Sequence, residues 1–310
     1  MTHPYIGVDI SKERLDIHHP TQGDLWIANA PQAVQSWVQS LDPGSFLIFE
    51  ATSRYDKLLA SQARRAALRF ARINPLHGWH FAQSLNLPKT DRVDARMLAR
   101  FGAERQPEAD PTPDPARVEL AQLSQRRDQL KRMQTQEKNR RAEAAHPLVR
   151  RAICASLKAL AKAIGKIQDA ITAHLDAHPQ LAEQAGLLRS IPGIGQITAV
   201  ELLAHLPQLG ALDRRSVASL GGLAPKARES GKYRGKRRLG PGRRHIRSAL
   251  YMAALSGLRH PTHFGGMAQR MRAAGKPGKV IAIAIARKIL TIANAILRSG
   301  KPFQTPQQTN

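Results

Sequence analysis

The first third of the chain alternates short apolar runs with helical spacing. Tyr5-Ile-Gly-Val-Asp9-Ile is β-branched and apolar, Ser11-Lys-Glu-Arg has turn character, and Leu15-Asp-Ile-His resumes the run, so residues 4–19 read as a hairpin. Phe46-Leu-Ile-Phe-Glu50 is a second apolar strand, and it ends on a carboxylate. Tyr55–Leu68, rich in Ala, Leu and Arg, reads as a helix; Arg69–Ile73 is a third strand, broken by Asn74-Pro75. Asp91–Arg100 is a helix opening after Pro88. Strands alternating with helices indicate an α/β layer.

A different pattern begins beyond Pro107-Glu-Ala-Asp-Pro-Thr-Pro-Asp-Pro115, whose prolines deny helix and sheet and make an extended connector. Ala116–Arg141 reads as a charged helix with Leu120, Leu123, Leu130 and Met133 on one side. After Pro147, Ile153, Leu157, Leu160, Ile164, Ile167 and Ile171 fall at alternating gaps of four and three, the a/d seam of a coiled coil. Packing on the preceding helix and pairing with a second chain both satisfy that seam. Further helices follow, and the last dozen residues look like a polar tail. Val280–Leu297 is the longest apolar run, but Arg287, Lys288 and Asn294 interrupt it, so it reads as a buried helix rather than a membrane span.

Charge changes this picture most. The 310 residues hold 48 Lys and Arg against 23 Asp and Glu, a net of +25, which points to a polyanionic partner and away from ordinary metabolic enzymes. The excess is uneven: residues 1–110 carry 13 basic and 12 acidic residues, residues 111–310 carry 35 and 11. The first part keeps its carboxylates, and the rest is built to neutralise phosphates. One cysteine, Cys154, excludes a disulfide framework and a cysteine-based zinc site. The N-terminus lacks the pattern of a signal peptide, and a soluble intracellular protein is expected.

Asp9 lies inside a strand, Glu50 ends one, and Asp91 and Asp94 share a helix face at i, i+3 spacing. Such oxygen donors suit Mg²⁺, which is commonly shared with substrate phosphates; two such ions roughly 4 Å apart would stabilise attacking and leaving oxygens at a phosphodiester. Burying Asp9 without a partner is unfavourable, which separates it from a decorative strand end. Asp16 and Glu13, by contrast, read as surface.

Two further features speak to phosphates. Ile191-Pro-Gly-Ile-Gly sits between helical stretches; Gly193 and Gly195 permit a tight turn whose backbone N–H groups, with the helix starting near Gln196, could hold a phosphate. A plain helix–helix turn would need glycine for its φ alone. From Lys226 to Arg247, ten residues are basic (Lys226, Arg228, Lys232, Arg234, Lys236, Arg237, Arg238, Arg243, Arg244 and Arg247) and only Glu229 is acidic. Inside this loop, Ser230 stands beside Gly231, where surrounding cations would lower the pKa of an attacking hydroxyl and stabilise a charged transition state. Tyr233 is a candidate stacking group, and His245 is the one histidine of the stretch.

In order, Gly-Val-Asp9, Phe-Glu50-Ala-Thr, Lys89-Thr-Asp91-Arg-Val-Asp94-Ala, Ile-Pro-Gly-Ile-Gly, Gly-Leu-Ala-Pro225, Glu-Ser230-Gly, Arg247-Ser-Ala-Leu-Tyr-Met-Ala-Ala and Ala-Arg287-Lys288 closely resemble the DEDD transposases of the insertion-sequence-110 type over residues 4–300. The resemblance implies an α/β RuvC-like (RNase H-type) N-terminal domain over 1–108. It further implies a linker with coiled-coil helices over 109–182, a mainly α-helical transposase domain with a helix-hairpin-helix turn over 183–300, and a tail at 301–310. It implies a recombinase that cuts and rejoins donor and target DNA, guided by a noncoding bridge RNA and acting as a homo-oligomer, dimer or tetramer. Asp9, Glu50, Asp91 and Asp94 would then hold Mg²⁺, and Ser230 would attack DNA to form a covalent intermediate. The setting would be the prokaryotic cytoplasm, on the nucleoid, with no membrane. The alternative is a RuvC-type, metal-dependent junction-resolving nuclease that needs the carboxylates but not Ser230. A non-catalytic binding protein would explain the charge but not Asp9.

Overall fold

The computed structural model describes residues 4–304, except 52–53, 86–90, 227–228, 231–232, 235–237, 241 and 259–260; the side chains of 91–93, 226, 229–230, 233–234 and 261–262 also lie outside the description. The chain divides into two compact units, Met1–Thr112 and Pro113–Asn310.

The first unit is built on five strands, β1 (Tyr5–Ile10), β2 (Arg14–His19), β3 (Gly23–Ala28), β4 (Phe46–Glu50) and β5 (Arg69–Ile73), in the spatial order β3-β2-β1-β4-β5. The expected hairpin forms, with Val8 opposite Ile17, and a further strand, β3, extends it antiparallel. β4 returns parallel to β1 after helix α1 (Pro31–Gln39), and β5 lies parallel to β4 after helix α2 (Asp56–Arg65). Such crossovers need an intervening element of this kind. Strand alternation then decides the layers. Ile6, Val8, Leu47 and Phe49 point to one face, where they pack with Val34 and Trp37 of α1 and Leu59 and Ala63 of α2. Phe46 and Ile48 point to the other, where they meet Phe81 of α3 (Pro75–Ser84) and Met97 and Leu98 of α4 (Asp91–Arg105). Phe49 and Phe70 stack with ring centroids 5.4 Å apart.

The proline connector is irregular, as its composition dictates, but it is not loose. The Asp110 amide donates to the Phe70 carbonyl (2.7 Å), and the Asp110 carboxylate accepts from the Arg72 amide (3.1 Å) and Arg72 Nε (2.6 Å). It thereby covers the outer edge of β5, which would otherwise present unpaired backbone groups.

The second unit is helical apart from short strand pairs. Helices α5 (Pro115–Glu143) and α6 (Pro147–Asp176) run back to back and are followed by α7 (Pro179–Arg189), α8 (Gln196–His205), α9 (Arg214–Leu220), α10 (Arg244–Gly257), α11 (Gly266–Ala273) and α12 (Gly278–Ser299). Ile281, Ile285, Ile289 and Leu290 of α12 lie in one core with Leu202, Val217 and Leu250, so this long apolar helix is a core element of the unit. Asn294, buried on it, accepts from the Gly210 amide and donates to the Leu212 carbonyl, both at 2.8 Å. Ile153, Ile164 and Ile171 of the heptad seam are buried, while Leu157, Leu160 and Ile167 are half-buried. The basic stretch from Lys226 is not a featureless loop. Strands β6 (Pro225–Lys226) and β9 (Arg238–Leu239) pair, and between them β7 (Glu229–Ser230) pairs with β8 (Tyr233–Arg234), both antiparallel.

Candidate active site

Asp9 and Glu50 are brought together by strand register. Val8 lies beside Phe49 in the parallel β1–β4 pair, so the next position on each strand sets Asp9 beside Glu50 at the ends where both strands leave the sheet. Helix α4 supplies the third wall. A Cβ on Gly7 would stand 1.9 Å from the Ala95 carbonyl oxygen and 2.5 Å from the Ala99 amide, so the helix backbone rests directly on β1. At its other end, Gly102 sits over Tyr5 and Ile48. The helix therefore runs antiparallel to β1, and its first turn, with Asp94, overlies the strand end that carries Asp9. Asp91 opens the same turn, and its side chain lies outside the described residues. Asp9, Glu50 and Asp94 are all half-buried.

Two neighbours were not legible as site residues. Gly78 of α3 packs on Glu50: a Cβ there would stand 2.3 Å from Glu50 Oε1, so the glycine leaves the carboxylate its place. Asp16, expected at the surface, is 7% exposed, because it faces Asp9 across the β1–β2 pair on the side that α4 covers. Arg14 Nε donates to Asp16 Oδ2 at 2.8 Å, which offsets the like-charge pairing. Asp24 is likewise occupied. Arg96 of α4 and His18 (Nδ1–Oδ1 2.6 Å) hold its carboxyl down to about 2, and Arg96 thereby ties α4 to β3. Period-two alternation carries the signal for Asp16, since it shares a face with His18 and opposes Asp9.

Among the described residues the Asp9 end of the sheet offers the carboxylate oxygens of Asp9, Glu50 and Asp94, which fit a hard divalent cation such as Mg²⁺ and do not fit a soft one.

In the second unit, Gly193 has φ +91°, and a Cβ there would stand 2.3 Å from the Ala253 carbonyl of α10. Its φ and its close packing each require glycine. Gly195 caps α8 in open space and lines a recess of about 480 Å³ with Arg127, Gln168 and Thr172. Arg243 Nη1 donates to the His205 carbonyl and, at 3.5 Å, to Gln208 Oε1; Arg247 Nη1 donates to the Gly222 carbonyl at 3.3 Å. Both guanidiniums hold backbone of their own unit, whereas Arg238 and Arg244 are exposed. The side chains of Lys226 and Arg234, and residues Arg228, Lys232, Lys236 and Arg237 entirely, lie outside the described residues. Ser230 ends β7 opposite Tyr233, and its side chain also lies outside them. A basic groove absent from any motif lies nearby in the same unit. Arg214, Arg238, Lys276, Lys279, Arg287 and Lys288 surround about 670 Å³ over Leu223, Met267, Val280 and Ile283, and its lining among the described residues includes no carboxylate.

Residues 6–144 match the family model DEDD_Tnp_IS110, described as a transposase, and residues 185–269 match the model described as Transposase IS116/IS110/IS902 family. Over 98% of its length the chain is 33% identical to the pilin gene-inverting protein of Moraxella bovis, of which it covers 98%. The chain belongs to the IS110 family of transposases. The pilin gene-inverting protein of Moraxella lacunata is equally similar, at 33% identity over 98% of each chain. An uncharacterised 43.6 kDa protein of insertion element IS110 from Streptomyces coelicolor is 27% identical over 155 residues, which is 37% of that protein. Membership makes this IS110-family chain a DNA-recombining enzyme. The first match runs from the carboxylate sheet through α5, and the second takes in the basic hairpin and the helices around it.

Proposed function

We propose that the chain cuts and rejoins two DNA duplexes through a serine-linked intermediate. The carboxylate end of the sheet would supply the metal ligands, and the hairpin that carries Ser230 would supply the nucleophile. The observation that carries this reading is the convergence of Asp9, Glu50 and the first turn of α4 at the C-terminal ends of β1 and β4 in a five-stranded sheet, whose strand order supports a RuvC-like, RNase H-type domain. Asp9, Glu50, Asp91 and Asp94 would hold Mg²⁺, which supplies neutralisation of charge on the scissile phosphate. Ser230 Oγ gives up its proton and bonds to phosphorus, while one bridging bond from phosphorus to a deoxyribose oxygen breaks and that oxygen leaves as a hydroxyl. A second hydroxyl then attacks the phosphoserine, restoring a phosphodiester and returning the proton to Ser230. Each exchange conserves phosphodiester bonds, so no nucleotide hydrolysis is required.

Substrates would be donor and target DNA, aligned by a bridge RNA whose pairing supplies sequence choice while the protein grips backbone. The basic hairpin (Lys226, Arg228, Lys232, Arg234, Lys236, Arg237, Arg238, Arg244), the Gly195 cap in a helix-hairpin-helix turn, and the groove around Lys279 support that grip. Residues 1–108 would be the metal domain and 183–300 the serine domain, with 109–182 as a coiled-coil arm. Met133, Leu148 and Val149, exposed towards the joint between α5 and α6, support pairing of that arm with a second copy. The place of work would be the bacterial cytoplasm, on the nucleoid.

The test is a labelled-DNA reaction with the co-expressed element RNA and Mg²⁺, quenched in denaturant. A protein–DNA adduct should form, and Ser230→Ala and Asp9→Asn should each abolish it. Normal strand cutting by Ser230→Ala would establish the water-using nuclease instead.

A further inference from the structure

Helix α8 carries Glu201 and His205 at i, i+4 spacing, so both project from one face. His245, in the first turn of α10, meets them there: its ring centroid lies 4.5 Å from that of His205, and His205 Nε2 lies 3.7 Å from Glu201 Oε2. One ligand-type atom from each residue falls within 4.8 Å of the other two. Glu201 is 4% exposed, and the second carboxylate oxygen is held by the Ser124 hydroxyl of α5. Among the described residues His245 Nε2 is buried without a hydrogen-bond partner, an arrangement that is unfavourable for an imidazole nitrogen unless something takes up its lone pair or proton.

We propose that Glu201, His205 and His245 form a transition-metal site of the zinc type, separate from the carboxylate site, which clamps α10 to α8. Two imidazoles and a carboxylate are a known donor set for Zn²⁺, and the nitrogen ligands disfavour Mg²⁺. Tetrahedral bonds of about 2.0–2.2 Å place ligand atoms roughly 3.4 Å apart, so the 4.8 Å span closes by small side-chain rotations. Burial lowers the pKa of both histidines, which favours the neutral imidazole that binds metal. Burial raises that of Glu201, and a cation would offset this. Charges around the trio are of both signs. Asp128 bears on all three groups, Arg127 on Glu201, and Arg243 sits on the His205 carbonyl. Ser124 fixes the Glu201 carboxylate as an outer-shell partner would. Because α10 directly follows the basic hairpin, the clamp would anchor that hairpin's C-terminal stem.

The experiment uses the full chain carrying Asp9→Asn, which removes a carboxylate from the other site, incubated with Zn²⁺ in excess Mg²⁺, dialysed, and assayed for metal content. We expect one zinc per chain, lost when His245→Ala is added. Ser124→Ala should weaken zinc binding about 10-fold, as loss of an outer-shell partner does. X-ray absorption on the zinc-loaded protein without any substitution at the trio gives a readout independent of whether those variants fold: two imidazoles with oxygen ligands are expected. Failure to take up zinc, zinc content unchanged by His245→Ala, or a spectrum of oxygen-only or sulfur ligands would each overturn the site. None of these results bears on whether Ser230 forms an adduct.

Discussion

At Glu50 the decisive neighbour is a residue with no side chain. A methyl group at Gly78 would meet the flexible end of Glu50, so Gly78→Ala should shift the carboxylate while leaving the fold close to intact. Strand cutting should fall at least about 10-fold, because misplacing a reacting group by an ångström can lose two orders of magnitude. Thermal unfolding should move only slightly. Gly7→Ala is the contrast. Its methyl would meet helix backbone at Ala95 and Ala99, so α4 must lift and stability should drop by about 1–3 kcal/mol or more, read by denaturant titration. A Gly78→Ala protein that cuts DNA normally would show that Glu50 needs no fixed position. Asp24 adds a pH dependence of definite sign. Its folded pKa of about 2 lies below the ordinary 3.8, so the tie to Arg96 stabilises fully above the ordinary value and is lost as pH falls towards 2. Asp24→Asn should therefore lower the melting temperature at neutral pH and leave it nearly unchanged near pH 2.

The elements were legible to different degrees, for physical reasons. β1 and β4 are dense in β-branched and aromatic residues and are covered on both faces, so apolar runs betray them, whereas β5 shows only Phe70, Ala71 and Ile73 beside exposed arginines, before the Asn74-Pro75 break. β3, Gly-Asp-Leu-Trp-Ile-Ala, is an edge strand with Trp26 66% exposed, and its pattern is too weak to read alone. The hairpin strands of the basic stretch are two residues each and leave no periodicity. Asp9 and Glu50 stand out as candidates because carboxylates inside or at the end of apolar strands are conspicuous, and Asp94 because it shares a helix face with Asp91 at i, i+3 spacing. Asp16 does not, because facing Asp9 under α4 is a matter of register. The turn before α8 shows the same limit. Its glycines signal a bend, but only the packed helices reveal that Gly193 touches the Ala253 carbonyl. Gly193→Ala combines a φ of +91° with that approach, so it should destabilise the second unit by at least about 1–3 kcal/mol. Gly195→Ala, in open space at φ −90°, should leave the melting temperature nearly unchanged and so serve as its control.

Across the whole molecule, the charge of +25 gains a location only in three dimensions. Arg243 and Arg247 are occupied with backbone carbonyls, so the densest basic run overstates the cations available to DNA. The groove recruits its cations from α9, β9, α12 and the turn before it, positions up to 74 residues apart between Arg214 and Lys288, which no linear motif could announce. Its lining among the described residues includes no carboxylate to neutralise these side chains, and neutralising phosphates there would release counterions. Arg214→Ala and Lys279→Ala, both at exposed positions, should each weaken binding to DNA of any sequence and lower the slope of log K against log salt by about 1. The double variant should lower it by about 2, since separate phosphate contacts add. Melting temperature should not change. Measuring affinity at several salt concentrations decides the matter: an unchanged slope would mean that nucleic acid passes elsewhere, and a loss confined to one sequence would mean that the groove reads bases rather than backbone.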